Sequence, residues 1–238
     1  MPEPGGARAF FGRRKGHRLR ARQASLLDEL LPRLRLPEPG GHPEPEAGTL
    51  EPGRLFRRPV ADVWLEIGFG GGEHLTAAAA RHPEIGFIGC EPFVNGLAKA
   101  LAAIDELRLD NIRIHDGDAV EVLDRLPPAS LGRVHLLYPD PWPKRRHWKR
   151  RFVQEANLAR LARVMRPDAE LRFATDWADY AAWTLAHMRR CPAFRWQAER
   201  AEDWRRPWDG WPGTRYEAKA VAEGRRPVYL TFRRTEAA

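Results

Sequence analysis

Residues 61–73 read ADVWLEIGFGGGE, and the fold of the chain turns on them. Residues 61–67 make a strand-length, largely apolar run. Gly68, Gly70, Gly71 and Gly72 follow within five positions, and a helix-like segment begins directly after. A turn of this composition lets the backbone take unusual dihedrals and approach a ligand closely. It is not the dinucleotide fingerprint G-x-G-x-x-G, because Glu73 stands at the last glycine position, where a carboxylate would repel a pyrophosphate. No Lys-Ser/Thr pair follows, so it is not a Walker loop either. A cofactor without phosphates fits better. Glu66, at the strand end, stands where it would meet a cationic or amino group. Taken alone, the glycines have an alternative reading as tight packing of strand on helix.

Outward from this turn, short apolar runs alternate with helix-length segments. Strands are expected near 61–67, 85–90, 111–115, 133–138, 169–174, 194–198 and 227–233. Helices are expected near 72–82, 94–109, 118–126, 150–165, 177–190 and 214–222. Seven strands in this alternation predict an α/β domain over 54–238: a doubly wound, mainly parallel Rossmann-like sheet with helices on both faces. Upstream, 1–24 reads as a basic, flexible tail. Residues 25–36 read as a short helix with Ser25 as N-cap, and 37–53 as a Pro/Gly/Glu linker. No internal repeat is visible.

In doubly wound sheets the ligand sits beyond the carboxyl ends of the strands. After the second strand comes Glu91, placed for ribose hydroxyls or, alternatively, for the dipole of the next helix. After the third comes Asp118, able to accept from an adenine amino group or simply to cap the following helix. Three acids at successive strand ends beside a glycine turn are a stronger signal than any one of them.

After the fourth strand, residues 136–152 read LLYPDPWPKRRHWKRRF. Pro139, Pro141 and Pro143 restrict the backbone around Asp140 and Trp142. A carboxylate and an aromatic ring are what holding a base requires: hydrogen bonds to its edge and a face to stack on. The adjacent run Lys144, Arg145, Arg146, His147, Trp148, Lys149, Arg150 and Arg151 suits phosphates. A solvated loop would explain the charges but not the prolines or Trp142.

The acids and the glycine turn resemble the cofactor site of class I S-adenosylmethionine methyltransferases. The 136–152 segment looks like the signature of bacterial tRNA (guanine-N7)-methyltransferases. FATDW at 173–177 and GTRYEAK at 213–219 agree with it. The resemblance implies that the glycine loop (Gly68, Gly70) passes the methionine part of S-adenosylmethionine. Glu66 would help position the amino-acid end, Glu91 would bind the ribose, and Asp118 would lie near the adenine. It makes Asp140 the catalytic residue and a cofactor neighbour. It gives Lys144, Asp176, Thr214, Arg215, Tyr216 and Glu217 to the substrate, a variable-loop guanosine of tRNA. Trp142 is a stacking candidate read from the residues alone, with structural packing as the alternative. Trp177 reads as helix packing. Trp204, Trp208 and Trp211 form an aromatic loop that either packs or meets RNA.

The bulk numbers agree with a polyanion partner. The formal net charge is +8, and the basicity is concentrated in two places. Residues 1–22 carry seven Arg or Lys against one Glu, and residues 144–151 carry six with no acid. The remaining chain is net acidic. Clustered positive charge is the footprint of nucleic-acid binding, although the tail by itself reads equally well as solvated. No run of eighteen apolar residues exists, and the Arg-rich N-terminus lacks an apolar stretch. Cys90 and Cys191 show no pairing or metal spacing, and the eight histidines are scattered. A cytoplasmic protein with no metal and no membrane contact is expected; monomer and homodimer stay open. Three rivals remain. The first is a methyltransferase acting on an exocyclic amino group, because Asp140-Pro141-Trp142 resembles an Asp/Asn-Pro-Pro-aromatic motif. The second is an inactive RNA-binding protein on the same fold. The third is a nicotinamide oxidoreductase, disfavoured by Glu73.

Overall fold

The computed structural model describes residues 14–38 and 49–236. Seven strands form one sheet: β1 (Asp62–Ile67), β2 (Ile85–Cys90), β3 (Ile112–His115), β4 (Leu131–Leu137), β5 (Met165–Thr175), β6 (Phe194–Trp196) and β7 (Val228–Arg234). Their order across the sheet is β3-β2-β1-β4-β5-β7-β6. The first five pair in parallel, while β7 runs antiparallel to both β5 and β6. The order reverses between β1 and β4. That switch point opens a crevice at the strands' carboxyl ends. The doubly wound sheet expected from the sequence is the one observed.

The buried pattern explains the elements. IGFIGC of β2 is buried at every position, as a central parallel strand requires. β1 alternates instead: Val63, Leu65 and Ile67 join the main core, whereas Asp62, Trp64 and Glu66 face the other side. Helices α3 (Glu73–Arg81), α4 (Val94–Leu107), α5 (Ala119–Arg125), α6 (Glu155–Val164) and α7 (Ala178–Arg189) link or cover these strands. The glycine turn is locked to α4. A Cβ on Gly72, at φ +81°, would lie 2.7 Å from Ala100 Cβ, and one on Gly96 would lie 2.4 Å from the Gly70 carbonyl oxygen. Tight packing is therefore part of what the glycines do.

Several boundaries differ from expectation. The helix expected at 25–36 is two: α1 (Ala21–Glu29) and α2 (Leu31–Leu34). Ser25 is not an N-cap but lies inside α1, its hydroxyl donating to Glu29 at 3.0 Å. Leu26 and Leu31 pack in one cluster with Leu97, Leu101 and Ile104 of α4, so the apolar stripe fixes the helix over part of the expected tail. Residues 14–17 are also tied down: Val94 N donates to the Arg14 carbonyl at 3.0 Å, and Asn95 Nδ2 donates to His17 O at 2.7 Å. Residues 1–13 of the tail and 39–48 of the linker lie outside the described residues. The end of the linker packs, with Leu50 only 1% exposed in the main core.

The helix expected at 150–165 begins at Glu155, and Arg145–Arg150 form a separate 3-10 turn. Arg151 causes the break. It turns inward, donating to the Pro141 carbonyl at 2.9 Å and to the Asp179 carboxylate. β5 starts at Met165, earlier than the apolar pattern suggests, because Pro167 and exposed Asp168 (φ +65°) interrupt the pattern at a register shift against β4.

Candidate active site

A cavity of about 370 Å³ lies where β1, β2, β3 and β4 end. Its walls combine apolar groups, among them Ile67, Leu136 and Phe152, with three acids, Glu91, Asp118 and Asp140. No Lys or Arg lines it among the described residues. Acids without a lining cation disfavour a diphosphate and favour a positively charged ligand. The apolar walls suit a flat ring. The donor set thus fits S-adenosylmethionine, a sulfonium with an adenosine.

Each acid is fixed by backbone. Glu91 is buried and accepts from Gly70 N at 2.7 Å and from Phe93 N at 2.8 Å. Burial pushes its carboxyl above the ordinary carboxylate range, and the two amides pull against that rise. Asp118 accepts from Val120 N at 3.0 Å, capping α5, and lines the cavity as well. The two readings of Asp118 are compatible. Gly68, at φ +71°, forms the floor of the turn. Gly70 sits beside the lining: a Cβ there would meet the Tyr216 ring at 3.2 Å. Glu66 is placed differently. It is buried with an oxygen 2.7 Å from His74 Nδ1, on the side of β1 opposite Ile67, and does not line the cavity. Strand alternation turns it away.

Asp140 stands on the loop after β4, at the rim. Tyr138 and Trp142 flank it in the left-handed region, at φ +49° and +42°. Such conformations cost about 1–3 kcal/mol each for non-glycine residues and concentrate at functional sites. Asp140 is exposed and has no ion-pair or hydrogen-bond partner among the described residues. The protein wall behind it still desolvates the carboxyl enough to raise its pKa. Trp142 is half-buried between the Arg150 guanidinium, 4.9 Å from its ring centre, and the edge of His147.

The basic run divides. Lys144, Arg145, Arg146 and Lys149 are exposed beside Asp140. Arg151, expected on the RNA surface, is 1% exposed, with Trp148, Tyr180 and Trp183 around its guanidinium. Trp148 packs edge-on against Trp183 at 5.4 Å. These two hold the loop rather than face outward. Asp176 follows β5 and accepts from Arg225 Nε at 2.5 Å. After the short helix α8 (Glu202–Arg205), helix α9 (Arg215–Ala222) starts at Thr214, which caps it by accepting from Glu217 N at 3.1 Å. Tyr216 reaches the cavity, and Arg215 lies 3.9 Å from Glu73. Glu217 points inward, accepting from Trp211 Nε1 and from the Tyr229 hydroxyl (2.6 Å).

A protein-family model described as "Putative methyltransferase" matches residues 60–230. A tRNA (guanine-N(7)-)-methyltransferase of Nitrobacter hamburgensis is 57% identical, the match covering 96% of this chain and 88% of that protein. One of the same name from Brucella anthropi is 56% identical over 95% of each chain. The chain belongs to the tRNA (guanine-N7)-methyltransferase family. Among solved structures, the 16S rRNA methyltransferase KamB shares the fold, with a TM-score of 0.53 at 19% identity, covering 74% of this chain and 89% of its own. Precorrin-6y C5,15-methyltransferase of Geobacter metallireducens shares it at a TM-score of 0.50 and 14% identity, covering 76% and 83%.

In this family member, four contributors escape a reading of the sequence. Phe93 and Tyr138 line the cavity, Arg225 holds Asp176, and Tyr229 holds Glu217. Phe93 and Tyr138 stand directly after strands, where they could have been sought. Arg225 and Tyr229 carry no local signal, since only the antiparallel return of β7 brings them to β5. The Trp loop packs. Trp208 and Trp211 meet Tyr229 edge-on at 5.5 and 6.0 Å, and Trp204 lies against the main core. Among the described residues no cluster could hold a metal, and no helix is long and apolar enough to cross a membrane.

Proposed function

We propose that this protein transfers the methyl group of S-adenosylmethionine to N7 of a guanosine in tRNA. The observation that carries the reading is Asp140: an unpaired carboxylate at the rim, between a cavity suited to a cationic adenosine and a row of exposed cations.

Guanine N7 has an in-plane lone pair and no proton, so the attack needs no general base. When bound, S-adenosylmethionine supplies a methyl carbon that bonds to N7 as its bond to sulfur breaks and the electron pair stays on sulfur. The positive charge moves to the purine. A carboxylate at Asp140 faces that developing charge, and such preorganised electrostatics are a large source of rate. Glu91 would hold the ribose hydroxyls with the lone pairs its two amide bonds leave, and Asp118 would meet the adenine amino group. Asp140 and Asp176 can accept from guanine N1–H and its amino group, a pattern adenine cannot offer. Arg225, bonded to Asp176, orients that carboxylate. Lys144, Arg145, Arg146 and Lys149 would bind backbone phosphates. Glu217 acts through Trp211 and Tyr229 as a positioning residue for Tyr216. The two free cysteines suit work in the reducing cytoplasm.

The test is transfer of label from S-adenosylmethionine to unmodified tRNA, with the labelled base mapped. Label at N7 of one guanosine is expected. Label on an exocyclic amino group would transfer the protein to the rival class, and cofactor binding without any transfer to tRNA would refute the substrate.

A further inference from the structure

The other face of the sheet carries a second cavity, of about 130 Å³, which the methyl-transfer reading does not use. It is built by strand alternation. Trp64 and Glu66 of β1 stand beside Arg133 and His135 of β4, which stand beside Glu170 and Arg172 of β5. Segment 208–212 closes it from above, and Arg81 of α3 reaches across its mouth to the Gly210 carbonyl at 2.5 Å.

Its charges do not balance. Arg81, Arg133 and Arg172 line it. The counter-charge beside Arg133 and Arg172 is the half-buried Glu170, shared by Arg133 at 3.0 Å and Arg172 at 2.9 Å and, from the far side, by Arg233 at 3.8 Å. Glu66 is taken by His74. Asp209, at the mouth, is exposed. Hydrogen-bond donors are left over as well. Arg133 Nε is buried without an acceptor. His135 is 2% exposed, lines the cavity and has no hydrogen-bond partner among the described residues. Burial, His74 and the two arginines hold His135 well below its ordinary pKa, so it is a neutral ring with one N–H to give. Burial, then Arg172, draws Arg133 down to about 10. Aromatic rings cover the guanidinium faces, Trp64 under Arg133 at 4.0 Å and Trp208 under Arg172 at 5.4 Å, which leaves their N–H edges as the usable side.

Buried donors without acceptors beside excess positive charge call for an anion with several acceptor oxygens. The volume holds a few waters or one tetrahedral oxyanion, and is too small for a base with its sugar. We propose that this cavity is a phosphate-binding site, taking a phosphate dianion on Arg81, Arg133, Arg172 and His135. An ester would leave its organic part outside the mouth. Because Gly210 and Trp211 form the roof, and Trp211 Nε1 donates to Glu217 at the start of α9, occupancy would also steady the segment that leads to Tyr216.

The experiment is calorimetric titration of the full chain with inorganic phosphate, at constant ionic strength set with chloride. It is paired with amide hydrogen exchange. Saturable binding is expected, with slower exchange at 208–212. Arg172→Gln should weaken it about tenfold or more, the loss of one charge-assisted contact. Arg81→Gln changes an exposed residue at the mouth and should weaken it in the same direction without threatening the fold. Ribose 5-phosphate, a monoester that keeps the dianion, separates the sources: tighter binding of the ester points to a terminal phosphate on a nucleotide or RNA end, tighter binding of inorganic phosphate to the free ion. No saturable binding overturns the site. So does binding that survives both substitutions with protection confined to 144–150.

Discussion

The two cavities are made from the same sheet by opposite means. The larger one stands on loops at the strand ends, where side chains are placed by turns: Glu91 by the amides of Phe93 in its own turn and of Gly70 in the glycine turn beside it, Asp118 by Val120, Asp140 by flanking prolines. The smaller one stands on the strands, where Trp64, Arg133 and Arg172 are placed by pairing with strands far away in the chain. A loop site can be altered one residue at a time with the fold intact. A site on the pleat is continuous with the core, so changes there reach stability.

The sharpest use of that difference is at Asp140. Asp140→Ala should lower turnover at saturating cofactor by about a hundredfold or more, the range for losing a preorganised electrostatic contact, while cofactor affinity falls by far less and thermal unfolding stays close to the parent. Single-turnover methyl transfer with a binding titration reads both. A folded variant with near-normal turnover would remove Asp140 from the mechanism.

Arg151 and its basic neighbours give the next contrast, because they look alike in sequence and sit in different surroundings. Arg151→Met leaves the Pro141 carbonyl without its donor and breaks the link to Asp179. It should cost about 2–3 kcal/mol of stability, visible in a denaturant melt. Replacing Arg145, Arg146 and Lys149 by Gln should leave that melt unchanged. It should flatten the dependence of log affinity for tRNA on log salt by about 2. Equal melts for the two variants, or equal salt slopes, would erase the distinction.

The same contrast shows what was legible in the chain. Glu91, Asp118 and Asp140 could be found because a loop site follows from local order: strand, turn, then acid. Arg151 was misread because burial is not local. KRRHWKRR is one run of charge, and only the placement of Tyr180 and Trp183 on α7 selects which arginine turns inward. The polar strip was half-legible. Asp62, Trp64 and Glu66 alternate with Val63, Leu65 and Ile67, and Arg133 and His135 repeat the period, which marks a polar sheet face. What no local pattern carries is that β1, β4 and β5 lie side by side, bringing these residues together. Glu66 shows the limit of motif reading: it ends a strand beside a glycine turn as a cofactor residue would, yet the pleat turns it to His74.

Glu91 supports a smaller prediction, in which a loop residue behaves like a buried one. Its carboxyl is held above its ordinary value of 4.5, chiefly by burial. The folded chain therefore binds that proton more tightly than the unfolded chain. By linkage, stability falls as pH rises from the unfolded value through the folded one, and the cost stays in force above both. Glu91→Gln keeps an acceptor for one of the two amides and removes the titration. Its melting temperature relative to the parent should rise as pH climbs through that window, then level off. Its cofactor affinity should fall about tenfold, the loss of a charged acceptor for ribose hydroxyls. A flat difference across the window would mean that the backbone amides of Gly70 and Phe93 outweigh burial, and that Glu91 is ionised in the fold at no cost.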